Sequence, residues 1–416
     1  MPLSMPARPE PQIMINRTVW QCDSCGSKTI VRIGFGHGKV QRHAFPCPTC
    51  GVELEVVLHL DPERGRWRYE RGKNATQVAG EDGATEVRTF YPGVMVPDRD
   101  DQFVSPFVET IHNVEDLDRF GAGETGRQII IGELWPKLER AHVHFERDSG
   151  ELFDRELCGL LDLPPSTSRA ERADRLAFVT QRAFAQFAQS TDGQRQRVRQ
   201  RLTLAQSIDP NLMPQIAKRW LDSGRMANLW TQVRAIRLEA INAYPLYRSV
   251  LQVMKYWRET DRRLDAFVIP DKGFDALKSL YINTYETLCR LVVLVVVVEA
   301  IIHHRTVDIP TRKGSMTAEE YEDMKNGLKP DILNKYPIAD LFAPAMDSVL
   351  RNGIGHNAAR YDGESDQIAY TVQGKGEIRM AYPAFVARVL ETYSAFELAS
   401  KYFHVLHGLV GGQLKP

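Results

Sequence analysis

The sequence predicts a mainly α protein with a small β module at its N-terminal end. Apolar residues recur at helical spacing from about residue 115 onward, whereas residues 16–60 alternate with a period of two around two cysteine pairs. Size and composition agree with this. The chain has 416 residues, room for two or three domains, and its 43% apolar and 25% charged content is that of a globular protein. The expected organisation is a disordered start at 1–15, a β module at 16–60 and a mixed β and linker region at 61–114. A helical middle domain at 115–265 and a helical C-terminal domain at 266–416 follow.

The β module comes first. Cys22-x-x-Cys25 and Cys47-x-x-Cys50 each place two thiolates on a tight turn, and Gly26 and Gly51 follow to relieve it. Thr29 to Phe35 and Lys39 to Phe45 read as strands around Gly36-His37-Gly38, and Val52 to Leu60 alternates as a third. This is the pattern of a zinc ribbon. Four sulfurs make a closed tetrahedral shell, so the expected cofactor is a structural Zn2+ held by Cys22, Cys25, Cys47 and Cys50. His37 and His43 could substitute as ligands, but the second cysteine pair makes them unnecessary. Cys158 and Cys289 stand alone in helical contexts and read as buried thiols. Paired cysteines of this kind suit metal binding in a reducing compartment, and the first residues lack the apolar run of a secretory signal. A cytoplasmic protein is therefore expected.

The next stretches are turn-rich, then helical. Tyr91 to Pro106 is Pro-rich and reads as an extended linker. The helical pattern from about Glu115 to Thr260 is punctuated at Leu163-Pro164-Pro165, Asp192-Gly193, Asp209-Pro210 and Ser223-Gly224. Phe184, Phe187, Trp220, Trp230, Tyr256 and Trp257 lie at core spacings within it. The whole chain is formally neutral, yet the stretch from Arg169 to Arg262 carries 17 basic against eight acidic residues. Gln194 to Leu202 (QRQRVRQRL) sets Arg195, Arg197, Arg199 and Arg201 on alternate positions. Two readings are open for these arginines: a solvated helix face, or a surface that contacts RNA phosphates.

The C-terminal domain opens with an apolar helix over about Phe274 to His304. Its Leu291 to Ala300 core (LVVLVVVVEA) is too short to span a bilayer and contains Glu299. It is expected to be buried on all sides, in a core or in a dimer interface formed by Leu288–Ile302 with the final helix. Thr317-Ala318-Glu319-Glu320 is a capping box. Pro344 is placed in the first turn of a helix that carries Arg351-Asn352-Gly353-Ile354-Gly355-His356. A strand pair broken at Gln373-Gly374-Lys375-Gly376 and a final helix from about Pro383 to Leu406 complete the chain.

Arg351, Asn352 and His356 are the candidate catalytic residues. Histidine exchanges a proton near neutral pH, and arginine can hold the charge that builds on a phosphorus centre under attack. Asn352 and His356 are four apart and can share a helix face, while Gly353 and Gly355 would let a nucleic-acid strand come close. The same residues have a structural reading. Arg351 and His356 would be helix-end cations, Asn352 a cap and the glycines a C-cap.

The R-N-x-x-x-H core together with the helix order over roughly residues 270–410 resembles the HEPN superfamily of small helical ribonuclease and nucleotide-binding domains. The resemblance implies a HEPN-like helical bundle, an active-site trio at Arg351, Asn352 and His356, and a symmetric dimer with two facing motifs. Some family toxins carry a tyrosine two residues after the histidine, where a partner enzyme modifies it. Here that position is Ala358 and the nearest tyrosine is Tyr361, so this antitoxin chemistry is not implied. The expected function is metal-independent RNA cleavage by a homodimer, in prokaryotic stress or antiphage defence. The alternative is a non-catalytic nucleic-acid-binding or scaffold protein with a zinc ribbon. His142 and His144, two apart, point away from each other on a helix and do not make a metal site, and His303-His304 reads as a helix C-cap. The chain contains no phosphate-binding glycine loop, no H-E-x-x-H and no G-x-S-x-G, which leaves nucleotide hydrolysis and serine hydrolase chemistry without support.

Overall fold

The computed structural model describes residues 15–34, 40–61, 66–90, 96–97, 123–124, 126–161, 164–256, 267–269, 273–312, 314–355, 359–362, 365–372 and 374–414. The N-terminal start at 1–14, most of the Pro-rich linker, His37, Trp257, His356 and Ala358 lie outside the described residues.

Strands β1 (Ile15–Cys22), β2 (Lys28–Gly34), β3 (Val40–Pro46), β4 (Glu53–Asp61), β5 (Arg66–Arg71), β6 (Ala75–Val78) and β7 (Ala84–Phe90) form two sheets, ordered β6-β1-β2-β7 and β3-β4-β5. Trp20, Val31 and Ile33 from the first and Phe45, Leu54, Val56 and Leu58 from the second share one small core. The two strands expected around Gly36-His37-Gly38 do not pair with each other. Each pairs instead across a cysteine turn, with Trp20 opposite Thr29 in one hairpin and His43 opposite Val56 in the other. The sheets also continue past residue 60, as far as Phe90.

Strand β8 (Val96–Pro97) pairs with β9 (Phe267–Val268). Between them, a π-helical turn at Ile130–Leu134 runs into α1 (Trp135–Glu146). Then come α2 (Gly150–Leu161), α3 (Arg169–Phe184), α4 (Asp192–Ile208), α5 (Leu212–Asp222), α6 (Arg225–Asn242) and α7 (Tyr244–Tyr256). Caps explain where these begin. Ser168 accepts from Glu171 N–H ahead of α3, and Thr191 with Gln194 makes a reciprocal capping box ahead of α4. Asp192-Gly193 is thus a helix start.

Helix α8 (Phe274–His304) follows, then β10 (Ile309–Thr311), β11 (Gly314–Met316), α9 (Ala318–Asp323), α10 (Lys329–Leu333), α11 (Ser348–Gly355), β12 (Arg360–Asp362), β13 (Gln367–Val372), β14 (Gly376–Ala381) and α12 (Tyr382–Leu409). Thr317 and Glu320 form the capping box that the sequence predicts for α9. Pro344 lies in a separate 3-10 turn, Ala343–Ala345, before α11. The chain is mainly α with a small N-terminal β region, as expected.

Leu288 and Leu291 to Val298 on α8 are almost entirely sequestered within the chain. A helix apolar on every side must find cover on every side. Helix α12 packs along it, with α4 and α6 adding further cover. The Leu288–Ile301 stretch therefore leaves no open apolar face for a second copy. One apolar cluster runs from Ile130 to Leu406 and draws on both the middle and the C-terminal stretches. Phe184, Phe187, Trp220 and Trp230 all lie in it.

Two buried ion pairs lie within this core. Arg237 on α6 donates to Glu397 on α12 through Nε and Nη2, both at 2.9 Å, and Ser400 and Tyr393 complete the network. Fully buried Glu299 on α8 accepts from Arg201 Nε at 2.7 Å. Among the described residues no helix is long and apolar enough to cross a membrane.

Candidate functional site

The candidate sites are the cysteine cluster and the motif helix. The hairpin of β1 and β2 presents Cys22 and Cys25 at its turn, and the hairpin of β3 and β4 presents Cys47 and Cys50. Each turn closes alike. Gly26 N–H donates to Cys22 O and Gly51 N–H to Cys47 O, both at 2.9 Å. Both glycines sit in the left-handed region, at φ 77° and 72°. The local sequence thus dictates two matching knuckles, and the sheet packing brings them together.

The four Sγ atoms lie within 4.8 Å of one another. Cys22 Sγ is 3.7 Å from Cys50 Sγ, and Cys25 Sγ is 3.5 Å from Cys47 Sγ. A tetrahedral ion with sulfur bonds of about 2.3 Å sets its sulfurs about 3.8 Å apart. The cluster therefore fits a four-coordinate metal. Burial works to raise the Cys47 thiol, but N–H donors from Cys50 and Thr49 pull it down to about 7. The Ser27 N–H works to lower Cys25, which desolvation and the neighbouring thiols push up to about 12. Thiols this close resist sharing negative charge until a cation sits among them. His43, a candidate substitute, is buried beside Phe90, and desolvation lowers it to about 4. It belongs to no cluster of metal-binding groups among the described residues.

Helix α11 carries the motif. Asp347 Oδ1 accepts from the N–H groups of Val349 and Leu350 at 3.0 and 2.9 Å, so an aspartate starts the helix, not Pro344. Leu350, Gly353 and Ile354 face inward, Arg351 is half-buried, and Asn352 is exposed. Arg351 Nη1 donates to Asn352 Oδ1 at 3.3 Å. Its Nη2 pairs with Glu286 Oε1 on α8 at 2.5 Å, and Asn326 Nδ2 holds the other carboxylate oxygen at 2.7 Å. The geometry thus joins Arg351 and Asn352. His356 lies outside the described residues.

The glycines need a correction. A Cβ on Gly353 would meet the Tyr370 ring at 2.4 Å, so this glycine permits α11 to pack on β13. It is buried and offers no approach to a nucleic-acid strand. Gly355 is exposed, and among the described residues a Cβ there would meet only the Arg351 guanidinium, at an ordinary 3.6 Å.

The arginine run on α4 is largely spent inside the molecule. Arg195 binds Asp192 and the Ser190 carbonyl, Arg197 forks onto Asp340 at 2.7 and 2.9 Å, and Arg201 holds buried Glu299. Arg199 is exposed and forms no ion pair among the described residues. The partners lie up to 143 residues away in sequence, where no local pattern reveals them. Glu286 and Asn326 are likewise far from Arg351 in sequence, whereas Asp347 caps the helix that begins just after it, a local signal.

His142 is buried against Trp230, consistent with a core residue rather than a ligand. His303 lies near the C-terminus of α8 and touches Arg201 Nη2 at 2.9 Å.

Comparison with family models, curated proteins and solved structures returns no match for this chain. The HEPN resemblance therefore stands on the motif and the helix order alone.

Proposed function

We propose that this chain is a metal-independent endoribonuclease with its site on α11 and the residues just beyond it. The observation that supports this best is the braced pair at the motif: Arg351, half-exposed and held from α8, in contact with exposed Asn352. In this reading the ribose 2′-hydroxyl attacks its own 3′-phosphate. A P–O2′ bond forms, the P–O5′ bond breaks, and His356 takes the 2′ proton while the leaving 5′ oxygen gains one. Arg351 holds the non-bridging oxygens as charge builds, and Asn352 orients the phosphate or the histidine ring. Products are a 2′,3′-cyclic phosphate and a 5′-hydroxyl.

A homodimer supplies a second histidine for the leaving oxygen, and two-fold dimers are the commonest closed assembly. Since α8 and α12 are covered within one chain, the contact would lie elsewhere. Val349, on the motif helix and 47% exposed, is one apolar residue available for it. The cysteine cluster takes a structural Zn2+ in this reading, remote from the reaction because a four-thiolate shell has no open position. The expected setting is cytoplasmic, in prokaryotic stress or antiphage defence, with a regulatory partner or antitoxin of unspecified kind.

The test incubates total RNA with the wild type, Arg351→Ala and His356→Ala, with free divalent ions chelated and cluster metal confirmed by elemental analysis. Wild type is expected to cut RNA and leave DNA intact, and each variant to lose roughly a hundred- to a thousandfold in rate. RNA bound but left uncut by the wild type would favour the non-catalytic binding or scaffold reading. Cutting by both variants at the wild-type rate would remove this site from consideration.

A further inference from the structure

We infer that Glu286 is a positioning residue for Arg351, fixing the guanidinium in place while leaving it donors for a phosphate. The inference rests on the ribonuclease reading of α11. Three separate elements meet at this point. Glu286 sits on α8, where its neighbours Tyr285, Thr287 and Leu288 are buried, so the backbone beneath it cannot shift easily. Asn326 comes from the 3-10 turn Asn326–Leu328, and Arg351 from α11.

The contacts run in one chain. Asn326 Nδ2 donates to Glu286 Oε2 at 2.7 Å, Glu286 Oε1 forms an ion pair with Arg351 Nη2 at 2.5 Å, and Arg351 Nη1 donates to Asn352 Oδ1 at 3.3 Å. Because Asn326 occupies one carboxylate oxygen, Glu286 meets the guanidinium through the other alone. Two-pronged pairing, which satisfies both partners, is absent here. Arg197 on Asp340 shows what a fully engaged fork looks like in the same molecule. Arg351 Nε is buried without an acceptor among the described residues, so the donors left for a phosphate are the remaining N–H groups of Nη1 and Nη2. The guanidinium is thus held to α8 through one nitrogen, touches Asn352 through another, and is incompletely satisfied. That arrangement suits a cation meant to meet an anion and does not suit one placed to tie two helices. A long arginine loses rotamer freedom when it binds, and an anchor that removes this freedom beforehand lowers the cost of reaching the transition state.

The test measures initial rates over a range of RNA concentrations for the full chain and for Glu286→Ala, Glu286→Gln, Arg351→Lys and the Glu286→Ala, Arg351→Lys double variant. Glu286→Ala is expected to lower kcat on the order of ten- to a hundredfold, with KM within about twofold, because misplacement of a charge-stabilising group acts on the chemical step. Glu286→Gln keeps one acceptor oxygen and should fall between the two. The double variant should be no slower than Arg351→Lys, since Glu286 acts through the guanidinium. An ion pair this exposed contributes little to stability, so folded variants are expected. Should Glu286→Ala not fold, Glu286→Gln and Asn326→Ala decide, and both must lower kcat. Full wild-type kcat in Glu286→Ala, or a double variant slower than Arg351→Lys by the whole Glu286→Ala factor, would overturn the assignment while leaving the ribonuclease reading intact. A wild-type chain that cuts no RNA overturns both.

Discussion

Replacing Gly353 by alanine should destabilise the protein although alanine is the better helix former. A Cβ at this position would lie 2.4 Å from Tyr370 Cδ2, 3.1 Å from Cε2 and 3.3 Å from the Thr371 carbonyl oxygen. Carbon atoms in contact prefer about 3.5–4.0 Å, so the ring would have to retreat by more than about 1 Å. Tyr370 cannot do this freely. It is only 6% exposed, and its strand is fixed by pairing opposite Ile378 in β14. Overpacking of this kind costs about 1–3 kcal/mol, against a helix-propensity gain of up to about 1 kcal/mol. The net loss is about 0–3 kcal/mol.

Gly355→Ala supplies the control, because it lies on the same helix, has no positive φ and among the described residues meets nothing closer than 3.6 Å. The propensity gain enters both variants and largely cancels in the comparison. Gly353→Ala should therefore unfold in urea at a lower midpoint than Gly355→Ala, by the equivalent of about 1–3 kcal/mol. Equal midpoints, or a higher one for Gly353→Ala, would refute the packing role given to Gly353.

Three further outcomes are expected. Glu397→Ala should cost about 3–5 kcal/mol, because it leaves the Arg237 guanidinium buried without its counter-charge, and urea unfolding would register a smaller loss if the charge is not truly desolvated. Protein prepared without chelator should hold one zinc per chain by elemental analysis. Cys22→Ser should lose it and unsettle the β sheets while the helical core keeps its circular dichroism. Burial lowers His142 to about 3 and His407 to about 4, so both stay neutral when folded. An unfolded histidine takes its proton near pH 6.5, so the unfolded state binds more protons below that value and stability must fall with pH. The fall should approach about 1.4 kcal/mol per pH unit for each histidine between roughly pH 6 and 4, and His142→Phe should flatten it.

Much of the fold was legible because its strongest signals are local. The apolar run of α8 begins right after Gly273 and stops where Arg305 enters the left-handed region at φ 54°, so Phe274 to His304 could be read to the residue. The cysteine knuckles were equally plain, since a Cys-x-x-Cys-Gly turn specifies its own hydrogen bonds. Failures came where one segment had to choose a distant partner. Nothing between Thr29 and Phe45 says that β2 joins β1 and β7 while β3 joins β4. The arginines of α4 looked free because Asp340 and Glu299 lie 143 and 98 residues further on. At the motif, residue types disclosed Arg351 and Asn352, but the Glu286 brace depends on how α8 and α11 pack.

Helix α12 also constrains how the molecule is made. It is the last of the described elements to leave the ribosome, yet it covers much of α8, including the faces around Glu299 and the valine run. Until residues 382–409 emerge, that surface has only α4, α6 and the short elements after α8 to shelter it. Nascent chains stalled before residue 382 should therefore present a long greasy helix to solvent, the kind of surface that chaperones hold and that aggregates when they are scarce. The Arg237–Glu397 bridge closes at the same late moment, which couples the final packing of the core to the completion of a buried fork between α6 and α12.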